Sequence, residues 1–301
     1  MHFVIDVTMT SSGPTVTHVI PGEEVVSGVT SLGDDVFVAR DDKSHIEVYD
    51  AVTFTLQRRI SLPALSWSVI LGLQCRSYCL AACASNKCLY ASDFGNACVH
   101  RVELTGSNAV TKWSVGRGPR GLTVNSAKNV VVVIQDEHKL QEFTTHGTLL
   151  QTIQLQPGTK CPSQVVQLSN GQFVISHIGT YRHRVCLLDV KGAVVRSYGG
   201  TWGSALTRMT CPSDLAVDKH GNILVADAIN NRLLVIDRSL TSAHKMSLSV
   251  VGDLNGPLSL WYDKSRGRLY VGEWCRGRVI VIDHLKDFTA SHVRRGIQLS
   301  A

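Results

Sequence analysis

One unit of sequence recurs along this chain, and a fixed-period repeat restricts the fold more than any composition can. Its clearest copy runs Cys211-Pro212-Ser213-Asp214-Leu215-Ala216-Val217-Asp218-Lys219-His220-Gly221-Asn222-Ile223-Leu224-Val225-Ala226-Asp227. It continues through Ala228-Ile229-Asn230-Asn231-Arg232 to Leu233-Leu234-Val235-Ile236-Asp237. The copy holds three short β-rich runs. Gly221 supplies the positive φ that a tight turn over Asp218 to Asn222 needs. The ends of the third run recur at Val48-Tyr49-Asp50, Arg101-Val102-Glu103, Gln141-Glu142-Phe143, Leu187-Leu188-Asp189, Val235-Ile236-Asp237 and Val281-Ile282-Asp283. Asp189, Asp237 and Asp283 lie 48 and 46 residues apart. Similar lead-ins open the copies at Gly118-Pro119-Arg120-Gly121-Leu122, Cys161-Pro162-Ser163, Cys211-Pro212-Ser213 and Gly256-Pro257-Leu258. A fourth apolar run follows most copies, as at Leu149 to Leu155, Val194 to Tyr198 and Met246 to Val251.

Six copies of four strands, with almost no helical periodicity, predict an all-β six-bladed propeller, since a sandwich has no reason to repeat at this length. All 301 residues are expected to form one domain, and 44% hydrophobic residues suffice for its core. The ring must close, because an open blade leaves an unpaired sheet edge. Residues 1–22 are expected to close it, with Val16-Thr17-His18-Val19-Ile20 as the outer strand of the sixth blade. Phe3 to Met9 or His292 to Leu299 are alternatives, the latter within a C-terminal tail of 286–301. The unit Asp214-Leu215-Ala216-Val217-Asp218, Gly221 to Asp227, Asn231-Arg232 resembles the NHL repeat. The resemblance extends over roughly residues 22 to 285, strongest in the fifth copy and loosest in the first three. The second copy has Cys98 and the first His45 where the signature has Arg.

Antiparallel hairpins put the loops after the second and fourth strands of every blade on one face. That face collects Arg117, Arg120, Lys139, Tyr181, Arg182, Arg184, Trp202, Arg208, Trp274 and Arg276 as candidate partner-binding residues. Arginines and aromatics in loops on a rigid scaffold are common binding residues. Asp41, Asp42, Asp93, Asp136, Glu137, Asp253 and Glu273 share the face, so its charge is mixed, and the net charge of +6 requires no acidic partner. Asp227, Asn231 and Arg232 read as residues satisfying a polar loop, with Arg184, Arg232 and Arg278 reaching a neighbouring blade.

The nine cysteines lack paired zinc knuckles. Cys75, Cys79, Cys83, Cys88 and Cys98 are expected to pack as small apolar residues, with Cys83 and Cys88 as cross-strand neighbours. Of twelve histidines, His45, His138, His177 and His183 fall on one face without close ligand spacing. No phosphate loop or nucleophile elbow occurs. No metal, cofactor or catalytic residue is therefore expected. No apolar run approaches the roughly eighteen residues of a membrane span, and Met1 to Asp6 has no basic lead-in, so a cytoplasmic location is expected. The resemblance implies a protein-recognition module, such as the target-selecting domain of a tripartite-motif ubiquitin ligase. Its alternative is a single-stranded RNA-binding propeller; a lyase-like metal-dependent enzyme is a third reading. Neither membrane nor DNA is expected as a partner.

Overall fold

Each blade is a meander of four antiparallel strands, numbered outward from the ring's axis. The computed structural model describes residues 13–63, 68–70, 73–75, 79–159, 161–179, 182–248, 254–283 and 285. Blade 1 is Val26–Leu32, Asp35–Arg40, His45–Asp50 and Leu56–Ser61. Blade 2 is Leu80–Cys83, Cys88–Asp93, Cys98–Glu103 and Val110–Ser114. Blade 3 is Pro119–Val124, Val130–Ile134, Lys139–Phe143 and Leu149–Gln154. Blade 4 is Pro162–Gln167, Phe173–Ile178, Arg182–Leu188 and Val194–Thr201. Blade 5 is Pro212–Val217, Ile223–Asp227, Arg232–Ile236 and Ala243–Lys245. Blade 6 is Pro257–Asp263, Arg268–Glu273, Val279–Asp283 and, from the other end of the chain, Thr15–Ile20. A short hairpin, Ser68–Ile70 with Leu73–Cys75, lies between blades 1 and 2.

Burial explains the sequence pattern of the strands. Second strands are covered by a neighbouring blade on each side, so Val130–Ile134 is an unbroken apolar run, fully buried. Outer strands face solvent, and Leu149–Gln154 buries only Ile153. Among the described residues the core is thus six clusters, each shared by adjacent blades. Val131, Val133, Leu140 and Ile153 of blade 3, for instance, pack on Val165, Phe173, Ile175, Cys186 and Leu188 of blade 4. The hairpin turn of blade 5 forms as its residues require: Asp218 Oδ1 accepts from the backbone N–H of His220 and Asn222, and Gly221 takes φ 84°.

The N-terminal strand closes the ring as expected. Thr15 pairs with Asp283, Val16 with Ile282 and Ile20 with Val279, all antiparallel. The alternatives at Phe3 to Met9 and His292 to Leu299, and the tail 286–301, lie outside the described residues. At the seam between blades 6 and 1, Ser259 Oγ accepts from Val29 N at 3.0 Å and Ser31 Oγ donates to Asp263 at 2.9 Å. One strand differs from the expectation. The outer strand of blade 5 is Ala243–Lys245; of the expected Met246 to Val251, residues 246–248 form no strand and 249–251 lie outside the described residues. Asp237 ties down a tight turn by accepting from Thr241 N and Ser242 N, which brings Ala243 opposite Ile236. Met246 then falls past the strand and is buried in the cluster between blades 5 and 6. Cys83 and Cys88 do face each other across the blade 2 hairpin, both as free thiols.

Candidate recognition face

The lead-in prolines shape the axis. Register shifts recur near the start of the first strand in five blades, at Val26/Gly28, Pro119/Leu122, Pro162/Val165, Pro212/Asp214 and Pro257/Ser259. Proline has no N–H to give a ladder, so an irregular strand start suits it. In blades 3 to 5 the residues at these shifts, Arg120, Gln164 and Asp214, carry the polar groups of the axis. Gln164 of blade 4 donates to Asp214 of blade 5 at 2.6 Å and to Cys79 Sγ at 3.3 Å. Gly121 permits this approach, because a Cβ there would come within 2.6 Å of the Gln164 Cα.

A second ring lies farther out, where the second strand hands over to the third. In blade 5, Asp227 is fully buried and accepts from Arg232 Nε at 2.7 Å, Asn230 Nδ2 at 2.8 Å and Thr210 N at 2.6 Å. Arg232 also donates to the carbonyls of Ser204, Ala205 and Arg208 in the loop arriving from blade 4. Arg184 similarly reaches Gly158 O at 2.6 Å in the loop from blade 3. Arg278 departs from the expectation of a neighbouring-blade contact: its two bonds go to Glu273, directly opposite it in its own blade. Blade 1 inverts the arrangement. Its Arg40 stands where blades 2, 5 and 6 carry an acid, bonds Glu47 Oε2 at 2.7 Å and reaches the Gly277 carbonyl at 2.5 Å, so His45 is no loss. Blade 2 keeps Asp93 but pairs it with His100 Nε2 at 3.0 Å, two residues beyond Cys98.

These pairs alter the charge read from the sequence. Asp93, Asp227 and Glu273 are buried against internal partners, so they do not offset the exposed arginines. Glu137 pairs with Lys139 at 2.5 Å and accepts from Arg117 N. Of the ten candidate residues, Arg117, Arg182, Trp202, Arg208, Trp274 and Arg276 are exposed; Trp202 is 64% and Trp274 40% accessible. Lys139, Arg184 and Arg120 are half-buried in internal contacts, and Tyr181 lies outside the described residues. The sequence reading omitted Leu206 and Ile229, exposed at 45% and 59% on the same loops of blades 4 to 6. Ile229 had a signal: it is the one large apolar side chain in the polar stretch Asp227 to Asn231.

The NHL repeat is matched over residues 209–236, which are the lead-in and first three strands of blade 5. The chain is a six-bladed propeller that carries an NHL repeat. No curated protein matches it in sequence. Among solved structures, it is similar to virginiamycin B lyase from Staphylococcus aureus, at 9% identity over 90% of this chain and 100% of that one, with a TM-score of 0.62. It is also similar to a protein of unknown function from Bacteroides thetaiotaomicron, at 12% identity over 87% of this chain and 70% of that one, TM-score 0.66. A third, Kuenenia stuttgartiensis hydrazine synthase, is 16% identical over 89% of this chain and 79% of that one, TM-score 0.62. At such identities the likeness is one of fold. Among the described residues, no helix is long and apolar enough to cross a membrane.

Among the described residues, His45, His138, His177 and His183 of this face join no group of three potential metal ligands. His177 Nδ1 lies 3.1 Å from Arg182 O, and burial together with nearby Arg184 lowers its pKa to about 4. His183 Nδ1 accepts from Cys211 N at 3.0 Å. The axial mouth is held by other groups. Arg120 lies over the Phe94 ring at 5.6 Å and donates to Gln135. Asp41 is near enough to feel Arg120, Ser27 and Asp42, yet burial pushes its carboxyl up to about 7, and its Oδ1 has no hydrogen-bond partner. Burial likewise lifts Asp214 to about 6, although Gln164, Leu215 N and Leu260 N all donate to it.

A carboxyl whose pKa is raised by folding holds a proton in the folded chain that it has lost in the unfolded one. Stability therefore falls as pH climbs from about 4 to about 7, and these two groups add no slope above that. Denaturant midpoints measured across this range should show the decline. Asp41→Asn should remove the decline between about 6 and 7 and roughly halve that between about 4 and 6, where Asp214 contributes as well. An unchanged profile would show that Asp41 ionises freely.

Proposed function

We propose that this propeller is a non-catalytic recognition module that takes a protein partner on the loops of blades 4 to 6. The observation that carries the reading is one sector of surface. Trp202, Leu206, Ile229 and Trp274 are exposed there with Arg182, Arg208 and Arg276, while the acids Asp227 and Glu273 are buried against Arg232 and Arg278. Aromatic and arginine side chains are the usual anchors of protein interfaces. The guanidinium groups favour a segment that mixes carboxylates with apolar side chains. In a ubiquitin ligase of tripartite-motif type, such a module selects the target while a separate zinc module recruits the conjugating enzyme. Lyase chemistry finds support only in likeness of fold.

The same arginines and indoles suit single-stranded RNA, whose bases stack on aromatic rings. Leu206 and Ile229 favour protein, because aliphatic side chains do not stack on bases. Affinity purification with and without ribonuclease separates the two readings: a protein partner survives the nuclease. Trp202→Ala or Trp274→Ala should then weaken that partner by about 2 kcal/mol, roughly 30-fold. Arg182→Ala and Arg276→Ala should act mainly on association rate and its salt dependence. Micromolar binding of a single-stranded RNA at physiological salt, losing about one unit of salt slope per arginine removed, would replace the protein reading with the RNA one.

A further inference from the structure

We propose that Asp93, Cys98 and His100 of blade 2 form a site for one divalent transition-metal ion, best suited to zinc. Pairing of the second and third strands sets Cys98 opposite Asp93, and the alternation of the third strand puts His100 on the same side as Cys98. One potential ligand atom from each side chain lies within 4.8 Å of the other two. All three residues are buried, at 1%, 4% and 1% exposure.

The spacing is that of a coordination sphere. With zinc bonds of about 2.0 Å to N or O and about 2.3 Å to S, tetrahedral edges come to about 3.3 Å for N to O and about 3.5 Å for S to N. His100 Nε2 lies 3.0 Å from Asp93 Oδ2, and Cys98 Sγ lies 3.6 Å from His100 Nε2. Asn96 orients the carboxylate, donating from its backbone N at 3.0 Å and its Nδ2 at 2.8 Å. The ring supplies a second argument. At this station blades 5 and 6 neutralise a buried acid with an arginine, Arg232 and Arg278, whereas blade 2 has Cys98 in the arginine's place. A dication held by one carboxylate, one thiolate and one neutral imidazole is electrically balanced in the same buried position. On binding, Cys98 gives its proton to the buffer and the thiolate takes the metal; the fourth position is left for water.

The experiment uses the full chain, reduced and treated with chelator, titrated with Co(II) and then with Zn(II). One Co(II) per chain should produce tetrahedral d–d absorption together with a thiolate-to-metal charge-transfer band, and zinc should bleach both. Cys98→Ser should abolish the charge-transfer band, while Cys83→Ser, also in blade 2, should keep it. His100→Ala should lower affinity by about a hundredfold or more, with circular dichroism confirming that each variant remains folded. A charge-transfer band that survives Cys98→Ser would place the metal on other thiols and overturn the proposal. So would the absence of any spectrum in the folded wild-type chain, which would leave His100 as a purely internal partner of Asp93.

Discussion

A chain shortened to begin at Pro21 is expected to lose its closed ring and aggregate. Thr15–Ile20 completes blade 6 by pairing with Val279–Asp283. Removing it leaves Val279-Ile280-Val281-Ile282 as an unpaired edge, β-branched throughout and without charge, which is the composition that invites pairing between chains. The energetic loss is of similar weight. Ile20 is fully buried, and Val16 and Val19 pack against the cluster between blades 5 and 6. At about 1.5–3 kcal/mol for each buried aliphatic side chain, the strand contributes about 5 kcal/mol, comparable to the whole stability of many domains. Light scattering and thermal unfolding of the shortened chain measure both effects. A peptide covering residues 13–22, added in trans, should restore part of the stability by refilling the edge. A shortened chain that stays monomeric and melts with the intact protein would mean that this strand does not hold the ring shut.

The propeller was legible in the sequence because its cause is local. Each blade needs one tight turn, one polar handover and apolar runs, and blade 5 writes all of these into Asp214 to Asp237. The closing strand was legible only in part. Blade 6 lacked an outer strand and Val16 to Ile20 was the preferred of three segments, but a bulge between Val16 and His18, not simple alternation, sets Val16 and Val19 on one side. Met246 to Val251 misled because apolar character reports burial rather than hydrogen bonding, and Met246 is buried without being in a strand. The site was harder to read, for a related reason. Loop topology places Arg120 and Arg184 on the candidate face, but whether a side chain there points outward depends on partners distant in sequence. Arg184 turns in to Gly158, 26 residues away. The acids Asp93 and Glu273 appeared as surface charge in the sequence because nothing local says that they are buried. The grouping of Cys98 with His100 was visible only as an i, i+2 pair on a strand, and Asp93 joins it through the register.

Replacing Arg232 with Met should both destabilise blade 5 and weaken partner binding, the largest combined effect expected of any single side chain on this face. Arg232 and Asp227 are buried together, and removing one partner of such a pair costs about 3–5 kcal/mol because the other charge is left without compensation. Burial already holds the Asp227 carboxyl above the usual carboxylate range despite its three donors. Without the guanidinium it should take up a proton, so the deficit of Arg232→Met should be larger at pH 8 than at pH 5. Asp227→Leu combined with Arg232→Met removes both charges and should recover part of the stability. It should not recover binding. Arg232 holds the carbonyls of Ser204, Ala205 and Arg208 at 2.5, 3.0 and 2.7 Å, and this loop presents Trp202, Leu206 and Arg208. With those anchors gone, the loop must be ordered anew at each encounter, and its ordering entropy is charged against affinity. Arg278→Met is the control, since Arg278 bonds Glu273 in its own blade and holds no loop carbonyl among the described residues. Measured on the ribonuclease-resistant partner, the double variant should bind more weakly than the wild type while Trp202 itself is intact. Full affinity in the double variant would show that the loop keeps its shape without Arg232, and would separate the buried pair from recognition altogether.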